Sequence, residues 1–104
     1  MKKTKIVCGI GPASNSVEVL RQMMENGMDV ARFDLGRLSY SFCSEAIAKI
    51  RKLNDELNRN VTILFDTRGP ELRVGTLDNG KVFLKKNSEV KIYESVLIGT
   101  AEQF

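Results

Sequence analysis

The residues able to do chemistry in this chain are few, and they cluster at three places. Arg32 and Asp34 close one apolar run, Asp66, Thr67 and Arg68 close another, and Gly9 ends a third. Arg37 and Arg73 lie shortly beyond the second and third clusters. The chain has no histidine and two cysteines, Cys8 and Cys43. A Ser-His-Asp or Cys-His mechanism within these residues is therefore excluded, and a structural zinc has too few ligands. What remains is the chemistry of carboxylates, guanidinium groups, hydroxyls and backbone amides. Arg32 can hold a phosphate or carboxylate through two parallel hydrogen bonds. Asp66 and Thr67 offer hard oxygen ligands to an alkali or alkaline-earth cation. The plainer alternative is a surface network in which Arg32 and Asp34 balance Asp66 and Arg68.

These groups need a scaffold, and the hydrophobic pattern supplies one. Residues 5–10 form a short apolar run stopped by Gly11-Pro12, which reads as a buried strand and turn. Asn15, with Glu18 three residues on, has the spacing of a helix-starting capping box. Val17, Leu20, Met23 and Met24 then recur at helical spacing, and Gly27 is a suitable stop. Residues 28–35 are expected as a second strand, with Val30, Arg32 and Asp34 on one face and Ala31, Phe33 and Leu35 on the other. Phe42, Ala46, Ile50, Leu53 and Leu57 define one face of a second helix over about 41–58. A third apolar strand, 61–65, ends at Asp66. Strand, helix, strand, helix, strand calls for α/β architecture with a parallel sheet, whose sites lie at the carboxyl ends of the strands. Beyond Gly69-Pro70 the rhythm changes. Residues 71–77, 81–84 and 89–93 read as short strands, with Asp78-Asn79-Gly80 as a hairpin turn. The expected division is thus 1–70 and 71–104.

The 104 residues carry a net charge of +3, with lysines and arginines scattered among acids. This fits a mixed solvated surface and not a nucleic-acid footprint. No apolar run approaches the ~20 residues needed to cross a bilayer. The basic start MKKTK is followed by too short an apolar stretch for a signal peptide, so a cytoplasmic protein with no membrane partner is expected.

Four stretches then carry a resemblance: KTKIVCGIGPAS at 3–14, ENGMDVARFD at 25–34, FDTRGPELRVGTLDNG at 65–80 and GTAEQF at 99–104. Together, in one register, they resemble the amino-terminal part of pyruvate kinase. The resemblance implies phosphoryl transfer from phosphoenolpyruvate to ADP with magnesium and usually potassium. It also implies a partial TIM (β/α)8 barrel followed by short antiparallel strands of an inserted β-barrel domain. By position, Arg32 matches a substrate-binding arginine, and Asp66 and Thr67 match potassium ligands. Arg73 matches an arginine on the nucleotide and phosphate side, and Glu71 matches the potassium-dependent form. The stretch 34–38 departs from the family. Asp34 stands where an asparagine ligand is usual, Gly36 replaces a serine ligand, and Arg37 replaces a histidine beside the nucleotide. Gly9 replaces a threonine.

Asp34 is thus a candidate cation ligand and Arg37 a candidate phosphate contact. A pairing of Arg37 with Asp34, substituting for the potassium charge, is a further expectation. The family's magnesium carboxylates and catalytic lysine belong to later strands, outside these residues. Catalysis by this stretch alone is therefore not expected. Three strands cannot close a barrel, so self-association or a covering partner chain is expected. The alternative function is a non-catalytic, truncated paralogue acting as an interaction or regulatory partner. A stand-alone anion-binding module built on Arg32 and Arg73 is a third reading.

Overall fold

The computed structural model describes residues 2–104, which fall into two compact units divided between Gly69 and Pro70. In the first, β1 (Val7–Gly9), α1 (Val17–Glu25), β2 (Val30–Asp34), α2 (Tyr40–Leu57) and β3 (Thr62–Asp66) follow one another along the chain. The three strands form one sheet in the order β1-β2-β3, and both pairings are parallel. Strand and helix thus alternate as the apolar pattern requires.

Local chemistry explains where each helix begins and ends. Helix α1 is capped by Ser16, whose side chain accepts from the Val19 amide, and not by Asn15 as the capping-box spacing suggested. Ser16 sits with extended backbone (ψ 151°), which frees its hydroxyl to reach forward over the first turn. The other end of α1 closes as the sequence implied. Gly27 takes φ 110°, the Met28 amide reaches back to the Met23 carbonyl, and the Gly27 amide reaches the Met24 carbonyl. That paired arrangement requires a left-handed residue, which glycine adopts without a Cβ clash. Ser39 caps α2 through the Phe42 amide, and Asn58 ends it in the left-handed region.

Both helices pack on one face of the sheet. Leu20 and Met24 from α1, and Cys43, Ala46, Ile50 and Leu53 from α2, close over Ala31 and Phe33 of β2. Phe42 and Leu57 flank this core partly buried, and Val17 is exposed. Only the central strand is well covered, so the expected burial of the first strand is not observed. Residues of β1 and β3 such as Val7, Leu64 and Phe65 remain exposed, because each is an edge strand with a single neighbour.

The segment preceding β1 is stapled to the α1–β2 turn. The Lys2 ammonium donates to the Gly27 carbonyl at 2.6 Å and pairs with Asp29 Oδ2 at 2.7 Å, while the Ile6 amide donates to the same oxygen at 2.8 Å. These bonds, the Lys2 hydrogen bond first, hold the Asp29 carboxyl below its usual value of 3.8. A lowered folded value means the charged form is favoured by folding. The contribution is complete above the unfolded value and is lost as pH falls through the folded one. Asp29→Asn is therefore expected to lower the urea midpoint at pH 7, with the gap to the parent closing below about pH 4.

The second unit is mostly irregular. Its Asp78-Asn79-Gly80 turn forms: Asn79 and Gly80 take φ 52° and 75°, and the Lys81 amide donates to the Asp78 carbonyl. The flanking residues do not continue it into the expected antiparallel ladder. Instead, 99–104 lies alongside 76–78 and 91–93 through isolated parallel bridges at Leu77–Gly99 and Lys91–Gln103. Leu72, Phe83, Ile92 and Val96 stay exposed. Without an apolar mate for their side chains, short strands gain little from pairing.

Candidate functional site

Parallel register decides which side chains share a face. Gly9 stands opposite Arg32, Arg32 opposite Leu64, and Asp34 opposite Asp66. Side chains alternate along a strand, so these residues project from the face that carries no helix, and the charged ones sit at its carboxyl end. Ala31 and Phe33 point the opposite way into the core. The core thus fixes β2, and β2 fixes the direction of Arg32.

The Arg32 guanidinium donates through Nη1 to Asp66 Oδ2 at 2.7 Å. The two side chains retain 44% and 48% of their exposure, so the pair is open to solvent and to a ligand. Its contribution to stability is correspondingly small. Its contribution to geometry is larger: Asp66 anchors a flexible side chain that would otherwise sample many rotamers. The other terminal nitrogen, Nη2, lies over β1. A Cβ placed on Gly9 would be 3.6 Å from it. The nearness of Gly9 to Arg32 follows from strand register, which is not legible in residue types and spacing.

The stretch 34–38 is wound around Asp34. Its Oδ1 accepts from the Gly36 amide at 2.9 Å, and its carbonyl accepts from the Arg37 and Leu38 amides. The Leu35 amide in turn donates to the Asp66 carbonyl, tying the turn to the end of β3. Such a self-bonded aspartate turn is what a short carboxylate followed by glycine favours. Arg37 is exposed, and among the described residues no ion pair within 4 Å joins it to Asp34 or any other acid. The expected Arg37–Asp34 ion pair is thus not formed; the partner of the Asp34 carboxylate is the Gly36 amide, at Oδ1. Arg68 likewise enters no such pair among the described residues, so the balanced surface network reduces to Arg32–Asp66. Thr67 is exposed where the chain leaves β3. Arg73, in the second unit, is bound to the Glu71 carboxylate through Nε.

The donor set does not suit potassium as it stands. Asp66 has one oxygen on Arg32 and Asp34 has one on the Gly36 amide, while Gly36 has no side-chain oxygen. No group of three or more acidic, cysteine or histidine side chains suited to a metal occurs among the described residues. Hard cations need about six or more oxygens, and these residues offer few.

Consecutive parallel strands, helices on one face and polar groups at the strands' carboxyl ends match a segment of a (β/α) barrel domain. The chain belongs to the pyruvate kinase family, whose barrel-domain model matches residues 1–103. It is 44% identical over 104 residues to the pyruvate kinase of Staphylococcus haemolyticus, covering all of this chain and 18% of that one. It is 45% identical over 102 residues to the Geobacillus stearothermophilus pyruvate kinase, covering 98% of this chain and 17% of that one. Among solved structures, Cryptosporidium parvum pyruvate kinase in complex with ADP superimposes with a TM-score of 0.83 at 34% identity, over 97% of this chain and 21% of that one. The chain therefore spans about a fifth of the relatives it matches. No helix among the described residues is long and apolar enough to cross a membrane.

Proposed function

We propose that this chain supplies the substrate-anchoring rim of a cytoplasmic pyruvate kinase, in which phosphoenolpyruvate donates its phosphoryl group to ADP. Residues 1–70 are the first part of the barrel and 71–104 the start of the inserted β domain. The observation that carries this is the Arg32–Asp66 pair at the ends of adjacent parallel strands, in a chain of this family. Phosphoryl transfer asks a protein chiefly for positioning and charge neutralisation. Arg32 suits that role: it is always protonated, planar, half exposed and braced by Asp66. It would hold the anionic substrate against the strand ends and take no proton from it. By family likeness Arg73 and Arg37 serve the nucleotide phosphates. By the same likeness Asp34, Asp66 and Thr67 correspond to the family's potassium site.

A second reading, a non-catalytic partner of itself or of a full-length kinase, draws on the 34–38 turn. Its carboxylate is engaged with its own backbone and its arginine is exposed. The two readings separate in a coupled assay of pyruvate formation by the intact protein with phosphoenolpyruvate, ADP, magnesium and potassium. Turnover supports the kinase. Absence of turnover together with co-purification of an active kinase supports the partner.

A further inference from the structure

The turn that closes β2 satisfies its oxygens from its own chain. Asp34 has one carboxylate oxygen on the Gly36 amide at 2.9 Å, and its carbonyl takes the Arg37 and Leu38 amides. Asp66, its partner in register on β3, has one carboxylate oxygen on Arg32 at 2.7 Å and its carbonyl on the Leu35 amide. Both carbonyls and one oxygen of each carboxylate are thus engaged. Gly36 brings no side-chain oxygen, which leaves the second oxygen of each carboxylate and the exposed Thr67 hydroxyl. A monovalent cation is held only where protein oxygens replace most of its hydration shell, and this remainder is too small. Charge points the same way. Arg32, Arg37 and Arg68 stand at these strand ends against Asp34 and Asp66 alone. Arg37 and Arg68 enter no ion pair within 4 Å among the described residues. Fixed positive charge in the same turn repels a free cation.

We infer that these strand ends work without a bound monovalent cation, although the family resemblance implies potassium there. The determinants are the oxygen missing at Gly36 and the permanent charge of Arg37, which supplies positive potential from the protein itself. The activity proposed above is accordingly independent of potassium. That consequence rests on the pyruvate kinase reading, whereas the absence of cation binding rests on the donor set alone. Every group in the argument lies in the first unit.

Two measurements on the intact protein test this. Equilibrium dialysis against radioactive rubidium, a potassium mimic, reads binding whether or not the protein turns over. The parent is expected to retain none at millimolar concentration. Asp34→Asn/Gly36→Ser/Arg37→His, which restores the family's residue types, is expected to retain it stoichiometrically. Serine fits at position 36 without backbone strain, since the glycines with positive φ are Gly27 and Gly80. The coupled assay of pyruvate formation is then run with tetramethylammonium chloride in place of potassium chloride at equal ionic strength. Parent turnover is expected to stay level, and that of the triple variant to fall about tenfold or more, as loss of one electrostatic partner near the reacting groups does. Rubidium retained by the parent overturns the inference, as does parent turnover that collapses without potassium. A triple variant as indifferent to the cation as the parent overturns the assignment to residues 34–38. If the parent forms no pyruvate in any salt, the kinase reading fails, while dialysis still decides whether the strand ends hold a cation. Should the triple variant fold poorly by circular dichroism, Gly36→Ser alone takes its place, with the same expected gain of rubidium.

Discussion

Exchanging Arg32 for glutamine is expected to lower the affinity for phosphoenolpyruvate about a hundredfold. A hydrogen bond to a charged group contributes about 1.5–3 kcal/mol, and each 1.4 kcal/mol is a factor of ten. The loss has two sources. The anion loses its charge-assisted donor, and the Asp66 carboxylate, now without its partner at 2.7 Å, repels the incoming charge. Lysine at position 32 keeps the charge and loses the planar fork, so it should recover only part of the affinity. Asp66→Asn separates the two contributions. Loss of the repelling charge should favour the anion, whereas loss of the brace should disfavour it and slow turnover. Steady-state KM and kcat for the four proteins decide among these. Unchanged KM in both Arg32 variants would place the anion elsewhere.

Phe33→Ala should have the largest effect on folding, about 3–5 kcal/mol. Phe33 is fully buried between the sheet and the two helices. Its ring also sits 6.2 Å from that of Phe65, tilted by 50°, a favourable aromatic arrangement. Against a typical domain stability of about 5–15 kcal/mol, that cost is a large share of the total. Urea titration followed by circular dichroism should show the midpoint falling steeply. Tyr40→Ala, at an exposed position at the start of α2, should change stability by no more than about 0.5 kcal/mol. Because Phe33 neighbours Arg32 on the opposite face of β2, partial loosening should also weaken anion binding without touching the charged groups.

Much of the architecture was legible because its determinants are local. The step-of-three-and-four spacing of Ala46, Ile50 and Leu53 marks a helix face whatever lies against it, and those residues are buried. Gly27 and Asn58 end the helices through backbone conformation alone. The cap of α1 moved from Asn15 to Ser16 because two neighbouring residues can both cap, and only the entry of the chain chooses between them. Past residue 70 the pattern was less informative. Asp78-Asn79-Gly80 turned as its dipeptide chemistry demands, but a turn does not create a ladder, and the flanking residues found parallel bridges with 99–104 instead. The 34–38 stretch shows the same limit at the site. Its residue types allowed Arg37 to meet Asp34, yet the carboxylate bonds to the Gly36 amide and Arg37 stays exposed.

By itself the sequence determined the alternation of strands and helices, the stops between them and the choice of charged residues at the strand ends. Each of these follows from side-chain spacing or backbone preference within a few residues. Tertiary structure alone decided that Arg32 meets Asp66 across 34 positions of chain, and that its second nitrogen lies over Gly9. Those relations depend on the register of neighbouring strands, where a slip of one residue would send Arg32 to the helix-covered face and Phe33 to the open one.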